Sequence, residues 1–243
     1  MSYRQVDVSS GWDWYVQGWS LFMKNPGMWL VTALVMMIVL AVLSWFPVIG
    51  PPAAALINPA LLGGMMYGAQ QLARGASFEF PHLFQAFRDS DRTGPMILLG
   101  LLPMAMLLIM VVFFGAAIFS MLMGALLASK TAGISGAFSV ASVLFGLLLL
   151  IPIGILLYAA LFFAIPRVML DGVNWIEAIK SSLSACLANV VPMILFLVIL
   201  MVASVLAAVL TSGLGMFLIA PVLIAAMYCA YTEVYSGGKQ SAD

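Results

Sequence analysis

Residues 163–189 read FAIPRVMLDGVNWIEAIKSSLSACLAN and form the most polar interior segment of the chain, with a very apolar stretch on each side. Pro166 and Gly172 are residue types at which helices commonly end, and Asn174 is suited to begin the next helix. Asn174 and Glu177 have the spacing of a capping box, in which each side chain bonds a backbone N–H of the other residue. The segment therefore predicts a short helix that lies along a membrane surface between two membrane-spanning helices.

The predicted surface helix has two distinct faces, because its apolar residues recur every three or four positions. The apolar face comprises Ile176, Ile179, Leu183, Cys186 and Leu187. The other face comprises Lys180, Ser181, Ser182 and Ser184. This pattern predicts that the apolar face lies toward the membrane and that the serine-rich face lies away from it.

The composition of the whole chain is that of an integral membrane protein. Of its 243 residues, 65% are hydrophobic and only 7% are charged. Soluble domains carry roughly 25% charged residues, so this chain cannot form a surface that faces water all round. Nine basic residues balance nine acidic residues and form no basic stripe, so we expect no nucleic-acid partner.

Few residues are available for catalysis or for holding a cofactor. The chain has one histidine, His82, and two cysteines that form no CxxC motif, so no haem, zinc or disulfide framework is expected. Residues 25–73, 96–129 and 137–165 contain no Asp, Glu, Lys, Arg or His. Proton pumps, redox carriers and intramembrane proteases need such groups within the membrane. The sequence thus predicts a protein that is not an enzyme and holds no cofactor.

The apolar stretches predict an all-α integral membrane protein with six transmembrane helices. The spans are about 28–46, 53–72, 96–118, 142–165, 190–210 and 214–232. About 20 residues, at about 1.5 Å each, cross a hydrocarbon core of about 30 Å. The third and fourth apolar stretches are longer than this, so their excess residues would project past the bilayer. We expect residues 1–10 to be disordered, 11–236 to form one domain, and 237–243 to be a cytoplasmic tail.

The six spans group into three hairpins, each preceded by an interfacial amphipathic helix at residues 12–22, 78–88 and 175–187. An internal repeat is also visible, because the residues around Ile57 and Pro59 align without a gap with those around Ile219 and Pro221. Chance similarity between apolar helices is the alternative explanation. Small residues four apart, such as Gly64 and Gly68, would let helices approach closely, either within the chain or between two copies.

The basic residues predict the orientation of the chain. Eight of them fall in segments that share one side of the predicted membrane, whereas Lys130 alone falls on the other side. Cytoplasmic loops carry an excess of Lys and Arg. We therefore expect both termini, and the segment 163–189, to face the cytoplasm.

Three polar features of the sequence are candidate sites. Asn58, beside Pro59 in the second span, either lines a cavity or makes a helix-packing hydrogen bond. Arg167 and Asp171, four residues apart, either bind a lipid phosphate at the inner face or form a simple interfacial charge pair. Glu233, near the inner end of the sixth span, is expected to pair with an arginine, either Arg74 or Arg167.

Two parts of the chain resemble known families. Residues 164–172, with the pattern Ala-Ile-Pro-x-Val-Met-Leu-x-Gly, followed by Ala178-Ile-Lys180-Ser-Ser182 and Asn189, resemble a segment of uncharacterised six-span bacterial inner-membrane proteins of the YciC type. The same segment is similar to the membrane domain attached to some glycerophosphodiester phosphodiesterases. The lead-in to the first span resembles that of a related proteobacterial family through Trp14, Gly18, Trp19, Leu21, Phe22, Asn25 and Pro26.

The resemblance implies a bacterial inner-membrane protein and supplies no catalytic residue. Two functions remain open from the sequence. The first is a non-enzymatic protein that acts by packing against membrane lipids or other membrane proteins. The second is a small passive transporter or channel for an uncharged or amphipathic solute, with a cavity near Asn58.

Overall fold

The computed structural model describes residues 3–126 and 132–236, and within these residues the chain is helical and contains no β-strand. The helices are α1 (Ser10–Met23), α2 (Pro26–Ser44), α3 (Gly50–Ala73), α4 (Gln85–Arg88), α5 (Ser90–Leu126), α6 (Ala132–Phe162), α7 (Ala164–Pro166), α8 (Trp175–Ala188), α9 (Val190–Thr211) and α10 (Met216–Ser236). A 3₁₀ turn (Phe80–Phe84) precedes α4, and a π-helical turn (Arg167–Asp171) follows α7. The all-α class predicted from the sequence is confirmed for this part of the chain.

Five helical stretches within the described residues are long and apolar enough to cross a membrane. They are Pro26–Ser44, Ser90–Phe119, Gly146–Asp171, Val190–Thr211 and Met216–Tyr235. They are compatible with a multi-pass membrane protein. The helices α5 and α6 have 37 and 31 residues, about 55 and 47 Å at about 1.5 Å per residue. Both exceed the thickness of a hydrocarbon core, so each has residues to spare beyond one crossing.

The predicted second span, residues 53–72, corresponds to α3, which is not among these five stretches. In α3, twelve of 24 residues are buried, whereas in α9 only three of 22 are buried. The helix α3 packs against α2, α5 and α10 and against the 3₁₀ turn. A helix that is surrounded by protein needs fewer large apolar residues than one that faces lipid. The glycines and polar residues that lower the hydropathy of α3 therefore fit its central position.

Close backbone contacts hold α3 in the bundle. A Cβ atom at Gly64 would collide with the backbone carbonyls of His82 and Leu83, and one at Gly68 would collide with the ring of Phe78. The Phe78 ring in turn meets the fully buried Trp29 of α2 edge to face, with 4.8 Å between ring centroids. Small residues permit such approach where lipid provides no hydrophobic drive between helices. Packing within the chain thus accounts for the Gly64–Gly68 pair.

The helix α1 lies against α10 and α9 along a face of small and aromatic residues. Trp14 is fully buried, and a Cβ atom at Gly18 would collide with the backbone of Ala226 in α10. Tyr15 stacks on Phe196 of α9 at 4.5 Å between centroids and donates a hydrogen bond to its carbonyl oxygen at 3.0 Å. The helix therefore belongs to the packed bundle, while its opposite face leaves Trp12, Val16, Trp19 and Met23 exposed.

The helix α8 begins after Asn174 as predicted, because the Asn174 side chain accepts a hydrogen bond from the Ile176 N–H at 3.0 Å. The reciprocal bond predicted for Glu177 is not among the contacts of the described residues. Burial does not follow the two predicted faces: Ser181 and Ser182 are buried against the bundle while Lys180 and Ser184 are exposed, and Cys186 is buried while Ile176 and Leu187 are exposed. The Ser182 hydroxyl accepts from the Phe163 N–H at 3.0 Å and donates to the Ala159 carbonyl at 2.6 Å. The serine thus satisfies backbone groups where α6 is interrupted, a role that a sequence pattern does not show.

The segment before α1 differs from the disorder that the sequence predicts for residues 1–10. Its backbone is bound at two points: the Val6 N–H donates to the Asn189 side chain at 2.8 Å, and the Arg4 N–H donates to the Val234 carbonyl at 3.0 Å. Asn189, which is almost fully buried, also donates to the Arg4 carbonyl at 3.2 Å. Residues 3–9 therefore form an ordered strap across α8, α9 and α10. Residues 1–2 and the predicted tail 237–243 lie outside the described residues.

Glu233 of α10 is the anchor of this strap. Its carboxylate accepts from Trp14 Nε1 at 2.6 Å and from Ser10 Oγ at 3.1 Å, and it pairs with Arg4 at 3.2 Å. The partner is therefore Arg4 rather than the predicted Arg74 or Arg167. The strap provided no helical periodicity from which this pairing could be inferred.

Charged side chains gather at one end of the helix bundle. In the described part of the chain, every Asp, Glu, Lys and Arg falls within residues 3–24, 74–92 or 167–180 or at Glu233. These segments contact one another, through Arg4 with Glu233 and through Arg92 with Gly172. We call this the charged end.

Replacement of Gly64 by alanine tests the close packing of α3. The added methyl group would collide with backbone atoms, which cannot move aside as a flexible side chain can, so we expect a loss of about 1–3 kcal/mol in unfolding free energy. Thermal unfolding in detergent micelles measures the effect. The matched control is Gly27→Ala in α2, where a Cβ meets no atom within 4 Å and the melting temperature should hold or rise. Equal melting temperatures for the two variants would contradict this account of α3.

Candidate functional site

Asn58 lies on the wall of a cavity of about 450 Å³ between α2, α3, α5, α6 and α10. This volume falls in the usual range for small-molecule sites, roughly 300–1,000 Å³. The other wall residues are almost all apolar and include Met36, Leu62, Pro103, Gly154, Leu157 and Ile224. Asn58 thus lies on the wall of a cavity, which is the position that the first of its two sequence interpretations describes.

Few polar groups belong to the cavity wall. The Asn58 amide makes no hydrogen bond to any residue that the structure describes, so it can bond a guest molecule. The Tyr158 ring forms another part of the wall, and its buried hydroxyl has no hydrogen-bond partner among the described residues. A buried polar group without a hydrogen-bond partner lowers stability by about 1–3 kcal/mol, so a bound molecule that hydrogen-bonds such a group would gain binding free energy. The cavity is suited to a guest that is mostly apolar and has a small polar part.

Four helices around the cavity contain an internal proline. Pro59 of α3 and Pro103 of α5 line the cavity directly. Pro152 of α6 and Pro221 of α10 lie close in sequence to wall residues Gly154 and Ala220. Proline has no N–H, so one internal hydrogen bond is missing at each of these four prolines and the helix bends more readily there. The helices around the cavity can therefore bend at or near its wall.

Arg167 and Asp171, the second candidate pair, meet on the π-helical turn at the charged end. Arg167 Nε lies 3.8 Å from Asp171 Oδ2, which is an ion pair but too long for a hydrogen bond. The Arg167 guanidinium carbon also lies 4.7 Å from the centre of the Tyr235 ring of α10, within cation–π range. Arg167 is only 9% exposed to solvent, whereas Asp171 is exposed. The pair is therefore more buried than an ordinary surface charge pair.

A second arginine reaches the same turn from α5. Gly172 ends the π-helical turn in the left-handed conformation, with a φ of 71° that favours glycine. A Cβ at Gly172 would collide with the guanidinium of Arg92, so this side chain packs directly on the glycine. Arg92 pairs with Asp89 at 3.7 Å, again beyond hydrogen-bond distance. The sequence analysis did not include Arg92 or Tyr235, because both reach the turn from distant parts of the chain.

A second hollow, of about 400 Å³, lies between α1 and the helices α9 and α10. Its walls include Trp12, Tyr15 and Trp19 of α1 and the aliphatic residues Leu200 and Val222. Trp and Tyr are enriched where a membrane meets water. The hollow thus has an aromatic side formed by α1 and an aliphatic side formed by α9 and α10.

The cysteine of α8, Cys186, is buried. Burial raises the pKa of the Cys186 thiol to about 12, and a hydrogen bond with Ser182 only partly opposes the shift. The thiolate, which is the reactive form, is therefore scarce at neutral pH. Within the described residues, no three His, Cys, Asp or Glu side chains are grouped so that they could hold a metal ion.

His82 and Glu79 cap the 3₁₀ turn reciprocally, each side chain accepting a backbone N–H of the other residue. His82 Nδ1 accepts from the Glu79 N–H at 3.1 Å, which requires that this nitrogen be unprotonated. Burial lowers the pKa of His82 below its ordinary value of 6.5, the Glu79 carboxylate opposes this shift, and the Arg88 guanidinium adds to it. The neutral imidazole is therefore the form that the folded turn favours.

Comparison with known proteins finds no family model, no curated protein and no solved structure that matches the chain.

Because the chain has a single histidine, NMR of protein labelled with ¹³C-histidine measures the pKa of His82 without assignment. We expect a value below 6.5 in the folded protein, a still lower value in Glu79→Gln, and a higher value in Arg88→Gln. Since the folded pKa is lowered, the contribution of this group to stability is complete above about pH 6.5 and is lost as the pH falls through the folded value. A pKa that rises in Glu79→Gln would show that the assignment of charges is wrong.

Proposed function

We propose that the protein is a non-enzymatic multi-pass membrane protein that binds a membrane lipid in the cavity beside Asn58. The observation that carries this proposal is the cavity itself, which has a mostly apolar wall and an amide without a hydrogen-bond partner among the described residues. A lipid acyl chain matches the wall, and an ester or hydroxyl group matches the Asn58 side chain. The described wall holds no acid–base pair of the kind that an enzyme would need.

In the membrane we propose that α3 forms a sixth span in addition to the five apolar stretches. Its 24 residues are sufficient for one crossing, and it contains no charged residue. The spans would then form three hairpins, each preceded by an interfacial helix. The seven arginines and lysines of the described residues all lie at the charged end, which supports a cytoplasmic position for that end in a bacterial inner membrane.

A reporter enzyme that is active only outside the cytoplasm tests this topology. Fused at Asp89, in the charged end, it should be inactive, and fused at Gly213, in the turn between α9 and α10, it should be active. Activity at Asp89 without activity at Gly213 would contradict the proposal, because it fits either a reversed orientation or a chain in which α3 does not span. The same result at both positions would show that the number of spans between them is even, which contradicts the six-span arrangement.

Gly154→Leu tests the occupancy of the cavity. Gly154 lines the cavity, and a Cβ there meets no atom within 4 Å, so a leucine would fill the space without striking the helices. We expect the variant to lower photolabelling by a phospholipid with a photoreactive acyl chain roughly tenfold, as when binding loses about 1.4 kcal/mol. The matched control is Gly115→Leu in α5, where a Cβ also meets no atom within 4 Å but the residue does not line the cavity. Equal labelling of both variants would exclude the cavity as the binding site.

A second candidate function, passive transport of an uncharged or amphipathic solute, is favoured by the four proline-containing helices around the cavity. Bending at those prolines is one way in which such a cavity could open to either side of the membrane. Glycerol flux into liposomes that contain the purified protein distinguishes the two functions. Flux that is abolished by Asn58→Phe would favour transport, whereas lipid labelling without flux favours a lipid-binding role.

A further inference from the structure

Arg167 is a buried cation with two nitrogens that make no hydrogen bond within the described residues. The side chain is nine-tenths buried, and two of its nitrogens, Nε and Nη1, are shielded from solvent and have no hydrogen-bond partner in the described residues. Burying an ionised group without such partners is unfavourable, and a single carboxylate at 3.8 Å does not supply them. This arginine therefore needs an acceptor that the described chain does not provide.

The surroundings of Arg167 favour an anion as that acceptor. Tyr235 presents its ring to the guanidinium, and the Tyr235 hydroxyl is engaged with Ser181, to whose carbonyl it donates at 3.0 Å. Asp171 is exposed and is the nearest carboxylate to Arg167. On the other side of Gly172, Arg92 adds a second positive charge with only a long contact to Asp89. Two guanidinium groups thus reach one turn, and neither is held by a carboxylate at hydrogen-bond distance.

We propose that the π-helical turn is a binding site for a phosphate group, with Arg167 as its buried ligand and Arg92 as its outer ligand. Guanidinium groups bind phosphate oxygens through charge-assisted N–H donors, and Arg167 has two nitrogens, Nε and Nη1, without a partner in the described residues. Single-turn π-helical segments frequently occur at functional sites, and this one places Arg167 at its first residue.

The position of the turn indicates that the phosphate belongs to a lipid headgroup. The turn ends the apolar stretch Gly146–Asp171, so it lies where a membrane-spanning segment reaches the polar layer. Basic pockets between helices at that depth bind anionic headgroups. The site deepens the proposed lipid binding by naming the headgroup chemistry, but Arg167 and Arg92 do not line the cavity beside Asn58. Failure of one site therefore leaves the other intact.

Thermal unfolding in nanodiscs of defined composition tests the site. Three conditions are compared: phosphatidylcholine alone, phosphatidylcholine with phosphatidylglycerol, and phosphatidylcholine with added inorganic phosphate. We expect phosphatidylglycerol to raise the melting temperature, because a ligand that binds only the folded state stabilises it. A rise with inorganic phosphate but not with phosphatidylglycerol would keep the site and identify soluble phosphate as its source. No response to either probe would overturn the proposal.

Three variants separate the site from general charge effects. Arg167→Met removes the buried charge while keeping a long side chain, and it should weaken the apparent affinity for phosphatidylglycerol roughly tenfold, as expected for the loss of a charge-assisted hydrogen bond. Arg92→Gln should weaken it less. The control Arg74→Gln makes the same change at an exposed arginine of the charged end and should bind as the unmodified protein does.

Folding of the Arg167→Met protein is checked in phosphatidylcholine alone. There the variant should melt at the same temperature as the unmodified protein or higher, because it no longer buries a guanidinium with two nitrogens that lack hydrogen-bond partners. If it unfolds, Arg92→Gln with its control Arg74→Gln still provides the test. The proposal is overturned if Arg92→Gln and Arg74→Gln lose equal affinity, or if folded Arg167→Met binds phosphatidylglycerol as before.

Discussion

Close contact between the α3 backbone and its neighbours is the constraint on which the bundle depends. The hydrophobic effect does not favour association of helices within the hydrocarbon core of a membrane, so their association relies on packing and on hydrogen bonds. At Gly64 the backbone of α3 meets the carbonyls of His82 and Leu83, and Gly100 of α5 meets Leu56 equally closely. Because α3 is held on these sides, α2, α5 and α10 can surround it and leave a cavity at Asn58. The cavity is thus a consequence of how the central helix is held.

The features predicted correctly from the sequence are those that local spacing determines. The long helices follow from runs of apolar residues, and Arg167 meets Asp171 because residues four apart lie on one helical face. The partners that arrive from elsewhere could not be found in this way. Arg92 and Tyr235 reach the turn through the packing of α5 and α10, for which no local pattern exists.

The buried serines of α8 illustrate a different limit of sequence patterns. Periodicity separates polar from apolar residues. It does not distinguish a serine that faces water from one that hydrogen-bonds backbone groups at a helix interruption. Ser182 is of the second kind, because α6 stops at Phe162 and leaves the Phe163 N–H in need of an acceptor. Its small size also lets α8 approach closely. In a membrane protein, small polar residues therefore indicate contact as readily as exposure.

The bond between Trp14 and Glu233 has a consequence for the order in which the protein assembles. These residues are 219 positions apart, so α1 leaves the ribosome long before the helix that completes its binding surface. Until α10 is made, Trp14 and Gly18 lack the partner against which they pack. Forming such distant contacts late is slow and leaves surfaces open to mispairing. Insertion of α10 is therefore the step at which the earlier helices acquire their final neighbours and the strap is anchored.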